Sequence, residues 1–244
     1  MQTDSGEGAC EPEGARATSD GNLFFGESGP STDEGIRQRR NRETRQRIHS
    51  CAVELAERSG IAAVTVAEIA EAAGISRRSF FRYFKCKEAA VLAGHSRYLD
   101  AAATLPLEVR SLGDALEAIE RIGDVVLVQE GPPDPHEHRR INWLINHDPA
   151  IRSYAVAQDR VVADLFRDRL SAALPDESVA AVELAADLGV TVWRHGWIRW
   201  STQAEAAFAA SGSGQLAGAA GETPAESHRA VRVLFTELAR SVPR

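Results

Sequence analysis

Apolar residues recur at helical spacing only from Arg42 onward. Ile48, Cys51, Ala52, Leu55 and Ala56 fall at i, i+3, i+4, i+7 and i+8, and Gly60 supplies the stop. A second helix is predicted from Thr65, where Thr65 and Glu68 have the T-x-x-E spacing of a capping box and Val64 and Ile69 flank it as a hydrophobic staple. It runs to about Ala73, and Gly74 takes the left-handed position that turns the chain. Ser76 then caps a short third helix ending at Tyr83. A fourth is predicted from near Lys87 to about Ala103, closed by Pro106. Longer helical segments follow over about 108–130, 136–147, 149–173, 177–201 and 224–241. Gly131-Pro132-Pro133, Asp148-Pro149, Leu174-Pro175 and the low-complexity stretch 203–222 separate them. No segment alternates with period two and no internal repeat occurs, so the expected fold is all-α.

With 244 residues, 43% of them apolar, the chain has material for two modest domains. Residues 1–35 are rich in Gly, Ser, Asp, Glu and Pro without an apolar period, and are expected to be a disordered acidic tail. Residues 36–88 then form a three-helix helix-turn-helix DNA-binding domain, with the motif itself at about 64–83, and residues 89–244 a helical ligand-sensing and dimerisation domain. The N-terminus has neither a basic start nor an apolar core, so a signal peptide is not expected. No run of 18 apolar residues occurs to span a bilayer, and a cytoplasmic location follows as an expectation. Cys10, Cys51 and Cys86 are odd in number and lack C-x-x-C spacing, which argues for reduced thiols without a disulfide framework or a zinc site.

The net charge of −7 argues against nucleic acid until its distribution is read. Residues 1–35 hold eight acids and one arginine, residues 36–88 twelve basic and six acidic side chains, and residues 89–244 fifteen and twenty-one. The middle segment is therefore +6 inside an acidic chain, and DNA responds to the local basic face.

Two helices joined by a tight glycine-containing turn, the second capped and basic, describe a helix-turn-helix. In the second helix, Phe80 and Phe84 lie at i, i+4 and would be buried together, while Arg78 and Arg82 lie at i, i+4 on another face, flanked by Arg77, Ser79 and Tyr83. Arginine can donate two bonds to guanine, and Ser or Tyr hydroxyls reach phosphates. A solvated basic face is the plain alternative. Three features weigh against it. The helix is too short to be stable without packing; it follows a capped helix at the right spacing; and a second basic cluster precedes it, Arg37, Arg39, Arg40, Arg42, Arg45 and Arg47. Such an arm can enter a minor groove or neutralise phosphates.

These residues resemble the TetR family of bacterial regulators. The resemblance covers Ala52-Val53-Glu54-Leu55, Gly60, Val64 to Ala70, Ala73-Gly74-Ile75-Ser76, Ser79 to Phe84 and Lys87-Glu88, roughly fifty residues in all. It implies that Thr65 bonds a phosphate, that Arg77, Arg78, Ser79 and Arg82 read bases or nearby phosphates, and that Lys87 clamps the nucleic-acid backbone. Ser76, Phe81, Tyr83, Arg40 and Arg42 complete the candidate DNA-facing set. Two positions depart from the family pattern. Phe81 stands where a tyrosine is usual, which removes a phenolic phosphate contact. Cys86 stands in place of a Ser or Asn cap, weakening that helix start by about 1 kcal/mol. Residues 136–170 also resemble a TetR subgroup that includes regulators associated with mycofactocin genes, and that likeness alone suggests an acyl-CoA-like ligand.

Elsewhere the chemistry is thinner. His136 and His138 lie at i, i+2, awkward for a shared metal, and with His147 read better as capping or surface residues; no metal or cofactor is expected. Arg139, Arg140 and Arg152 either hold an anionic ligand head or, more simply, pair with the abundant acids. Trp193, Trp197 and Trp200 form an i, i+4, i+7 stripe that reads as core or interface, otherwise as pocket lining. The candidate ligand pocket is Arg139, Trp143, Tyr154 and Trp193, and the candidate dimer interface Trp197, Trp200, Leu234 and Leu238, on the last two long helices through which the family usually dimerises.

No Gly-rich phosphate loop, G-x-S-x-G, H-E-x-x-H or convincing acid pair is present, so an enzyme is not expected. The sequence reading is a homodimeric repressor on double-stranded DNA, released from a palindromic operator by a small apolar or acyl-CoA-like molecule. An activator of the same fold, or a helical protein-interaction adaptor without specific DNA binding, are the alternatives.

Overall fold

Twenty-eight consecutive residues, Thr32–Ser59, form helix α1 in the computed structural model of the chain, which describes residues 32–130, 134–211 and 222–241. This corrects one expectation: residues 32–35 are helical rather than part of the tail, and the basic cluster lies along the same helix. The first half of α1 has no apolar period because arginine, glutamine and glutamate favour helix without one. Arg39 and Glu43 pair at 2.9 Å across one turn, and Thr44 Oγ1 donates to the Arg40 carbonyl at 2.8 Å. Residues 1–31, assigned to the acidic tail, lie outside the described residues.

From Ile48 the inner face of α1 is buried, with Ala52, Val53 and Ala56 following. A 3₁₀ turn, Ile61–Ala63, leads to α2 (Val66–Ala72), α3 (Arg77–Tyr83) and α4 (Lys87–Val91). Gly60 and Gly74 sit at φ +74° and +66°, the left-handed region in which a side chain is strained. The predicted helix from Lys87 to Ala103 is in fact two. Leu92, at φ −102° and ψ 42°, breaks it, and α5 (Ala93–Thr104) follows. The period could not mark that break, because residues 89–93 are all buried.

The compact N-terminal unit runs to Ala93 and also takes in Asp148–Tyr154, at the start of α8 (Pro149–Ala173). Asp148 explains why. Its Oδ1 accepts the Ala150 and Ile151 amides at 2.9 and 3.2 Å, capping α8, while its Oδ2 accepts the Ile61 amide at 2.8 Å in the 3₁₀ turn. What reads as a simple Asp-Pro break is a double cap. Asp148→Ala should cost about 2 kcal/mol, a lost cap plus one stranded N–H. Urea unfolding measures this, and Asp148→Asn should recover part of the loss.

The C-terminal unit comprises Gly94–His147 and Ala155–Arg244. Within it α6 (Leu112–Glu130), α7 (Pro135–His147) and α10 (Pro224–Ser241) pack on α9 (Val179–Ser211). Phe166, Leu170, Ile119, Ile122, Val182 and Val190 form its core, with Trp193 packed against it. Helix α9 runs ten residues past its predicted end at Ser201, through an alanine-rich stretch of high helix propensity. Three helix-interior glycines make room for side chains of a facing helix. A Cβ on Gly123 would lie 2.4 Å from the Trp193 ring, on Gly189 2.7 Å from Ile119, and on Gly196 2.2 Å from the His228 ring. Among the described residues all regular structure is helical, and no helix is long and apolar enough to cross a membrane.

Candidate nucleic-acid interface

The approach to the surface is built by caps. Thr65 Oγ1 accepts the Glu68 amide at 3.2 Å and donates to Glu68 Oε2 at 2.9 Å, and the Thr65 amide donates to the same oxygen at 2.8 Å. The predicted capping box is present, and these bonds hold the Glu68 carboxyl below its ordinary range. Ser76 Oγ accepts the Ser79 amide at 3.1 Å and donates to Ser79 Oγ at 3.0 Å, fixing the first turn of α3.

Helix α3 divides as its sequence implies. Phe80 is fully buried and Phe84 nearly so, their rings 6.0 Å apart. Arg77, Arg78, Phe81 and Arg82 are exposed, with Ser79 and Tyr83 half-buried at the border. The Arg82 guanidinium lies 5.2 Å over the Tyr83 ring and donates to its hydroxyl at 3.4 Å.

The basic cluster on α1 splits into two kinds of arginine. Arg45 donates to the Tyr83 carbonyl at 3.1 Å and stacks 4.5 Å over Phe84, and Arg47 donates to the Ala73 carbonyl at 2.9 Å. Both therefore grip the C-terminal ends of α3 and α2, where orphan carbonyls and the helix dipole favour a cation. Arg40 and Arg42 remain exposed on the helix surface. Lys87 donates to the Val64 carbonyl at 2.8 Å and to the Ala62 carbonyl at 3.4 Å, so it pins the 3₁₀ turn just before Thr65. Cys86 is the N-cap of α4, its Sγ accepting the Ala89 amide at 3.4 Å, a weak acceptor in that place.

Sequence reasoning missed the packing roles of Arg45, Arg47 and Asp148. The available signal is the bonding requirement of the helix ends: Ala73 and Tyr83 need donors, and Ile61 needs an acceptor.

In the C-terminal unit the aromatic stripe is an internal stack. Trp193 lies on Tyr98 at 4.4 Å, Trp197 on His138 at 4.3 Å, and Trp200, only 5% exposed, meets His138 edge-on at 5.2 Å. Trp200, named as a dimer residue, is thus filled from within its own chain, whereas Leu234 and Leu238 are exposed on α10 beside Val233. Of the four candidate pocket residues, Tyr154 belongs to the N-terminal unit; in the C-terminal unit Trp143 is half-exposed and stacks on His147 at 4.5 Å, and Arg139 faces His136 Nδ1 at 2.6 Å. Trp193 instead lines a cavity with Tyr98, Glu120, His228 and Arg232, in which a water-sized body finds about 30 Å³. Tyr98 Oη and His228 Nε2 are buried without hydrogen-bond partners. His228 Nδ1 meets the Pro224 carbonyl at 2.6 Å. Burial holds the imidazole below its usual range, against the pull of the Pro224 and Trp193 carbonyls, and pushes the Glu120 carboxyl up despite its ion pair with Arg232.

Residues 48–93 match the family described as bacterial regulatory proteins, tetR family. The HTH-type transcriptional regulator TcmR of Streptomyces glaucescens is 41% identical over 80 residues, 33% of this chain and 35% of that protein, so the chain spans about a third of the curated relative's length. Among solved structures, Salmonella enterica GusR aligns at a TM-score of 0.43 with 18% identity, over 81% of this chain and 96% of that one. Thermus thermophilus FadR, a TetR-family repressor solved with lauroyl-CoA, aligns at 0.29 with 22% identity, over 82% and 96%. Both alignments are too loose to carry a ligand or a mechanism across.

Proposed function

We propose that this chain, whose residues 48–93 belong to the tetR family of bacterial regulatory proteins, is a dimeric repressor that leaves a palindromic operator when its C-terminal unit takes up a small molecule. One observation supports the reading most. On α3, exposed Arg77, Arg78, Phe81 and Arg82 stand opposite buried Phe80 and Phe84, on a helix held by a serine cap and by two arginines of α1. The guanidinium groups of that exposed face suit guanine edges and phosphates. Arg40 and Arg42 would add phosphate contacts, and Thr65, Ser76, Tyr83 and Lys87 would position the unit on the backbone. A single short helix reads too few bases, so two copies are needed with reading helices about 34 Å apart. The apolar side chains exposed on α10, Val233, Leu234 and Leu238, are the face proposed for that pairing. The effector is assigned to the C-terminal unit, and its release of DNA follows from unequal affinity for two arrangements of the dimer.

The test is selection from a random duplex pool with the full chain, followed by footprinting and a salt titration. The expected outcome is an enriched palindrome with half-sites one helical turn apart and affinity that falls steeply with salt. No enriched sequence together with salt-insensitive binding would favour the protein-interaction adaptor and overturn this reading.

A further inference from the structure

Phe81 is the one aromatic side chain on the exposed face of α3, and it is 52% exposed. Its ring is not loose. It stands edge-on to the fully buried Phe80 ring, centroids 5.5 Å apart and planes at 88°, an arrangement in which the buried ring fixes its neighbour. Arg77 and Arg78 are four and three residues before it, so the phenyl group shares their helix face, along the surface proposed to enter the major groove. A phenyl ring carries no donor or acceptor. It has nothing to offer a phosphate or the polar edges of guanine, cytosine or adenine. The thymine 5-methyl is the one apolar group that base edges present in the major groove.

We propose that Phe81 is a specificity-determining residue that selects thymine at one position of each half-site by packing against its 5-methyl group. The inference rests on the proposed reading of α3 as the DNA-facing helix. It assigns the base step to chemistry that the arginines cannot supply: Arg78 and Arg82 call for guanine or phosphate, Phe81 for thymine. Edge-on contact with Phe80 means the ring is already held before DNA arrives, so little side-chain freedom is lost on contact.

Uracil substitution isolates the methyl group, since it removes that group and leaves base pairing unchanged. In the duplex selected above, each thymine is replaced in turn by uracil, and wild type, Phe81→Ala and Phe81→Leu are compared by fluorescence anisotropy, with thermal melts to check folding. For wild type, one symmetric pair of thymines should show a loss of about fourfold per methyl, from burial of a single carbon group. Phe81→Ala should bind the thymine duplex more weakly and be indifferent to uracil at that pair, while still responding to the other substitutions as wild type does. Phe81→Leu, apolar and able to reach, should keep part of the discrimination. Equal binding of every uracil duplex by wild type, or undiminished discrimination by Phe81→Ala, would overturn the assignment. Failure of the DNA-binding reading looks different, because then no duplex is selected at all.

Discussion

Arg78→Ala/Arg82→Ala will lower affinity for the selected duplex by at least about a hundredfold, with little change in stability. Each well-placed arginine–guanine contact is worth about 1–3 kcal/mol, and a palindrome engages each residue twice, so even the low end of that range predicts a loss of this size. Both side chains are exposed, and surface substitutions away from caps and cores usually stay within about 0.5 kcal/mol of wild type. The outcome separates binding from folding, which Arg45→Ala or Arg47→Ala would not. Those two hold the Tyr83 and Ala73 carbonyls, and their loss should appear first as a lower Tm. Anisotropy at two salt concentrations reads the effect. If one of the paired contacts is to phosphate, the slope of log affinity against log salt should also shrink, by about 0.9 for each phosphate released. Wild-type affinity in the double variant would remove α3 as the reading surface.

Gly196→Ala is expected to destabilise the C-terminal unit by about 3 kcal/mol, against the usual direction of such a change. In a solvated helix interior, glycine to alanine gains up to about 1 kcal/mol. Here the new Cβ would lie 2.2 Å from His228 Cδ2 and 2.4 Å from its Cγ. The obstacle is a ring rather than the end of a flexible chain. The imidazole is buried, tied to the Pro224 carbonyl at 2.6 Å, and packed on Trp193 with centroids 4.4 Å apart. Overpacking of this kind costs about 1–3 kcal/mol and occasionally more, enough to outweigh the propensity gain. Urea unfolding of Gly196→Ala, His228→Ala and the double variant forms a cycle. The double variant should be markedly more stable than the sum of the single losses predicts, since removing the ring restores the space. Additive losses would mean that the two residues do not compete for one volume.

The legible parts of the chain were those fixed by neighbours in sequence. Thr65 with Glu68, Ser76 with Ser79, and Phe80 with Phe84 act within three or four residues of each other, so spacing alone revealed the two motif helices and which face of α3 is buried. Long-range bonds left no such trace. Arg45 reaches Tyr83, Arg47 reaches Ala73 and Asp148 reaches Ile61, across separations for which no period exists. Grouping six arginines into one arm therefore merged two that brace the motif with others that face outward. The surroundings of Trp193 are hidden in the sequence for a related reason. Trp193 and His228 meet only because Gly123 and Gly196 have no side chains, and an isolated glycine in a helical pattern does not announce which ring will fill its place. The break at Leu92 was hidden because the apolar residues continue straight through it.

Lysine is scarce here: Lys85 and Lys87 are the only two in the sequence, and they do not share an environment. Lys87 is half-buried, with its ammonium held against the Val64 and Ala62 carbonyls, while Lys85 is exposed. Of the two lysines, an amine-directed dye or immobilisation linker added to the folded protein will therefore attach chiefly at Lys85. Lys85 is two residues beyond the end of α3, so a bulky tag there would stand beside the surface proposed to face DNA. Biosensor surfaces for this protein are better built by capturing the DNA and leaving the protein's amines untouched.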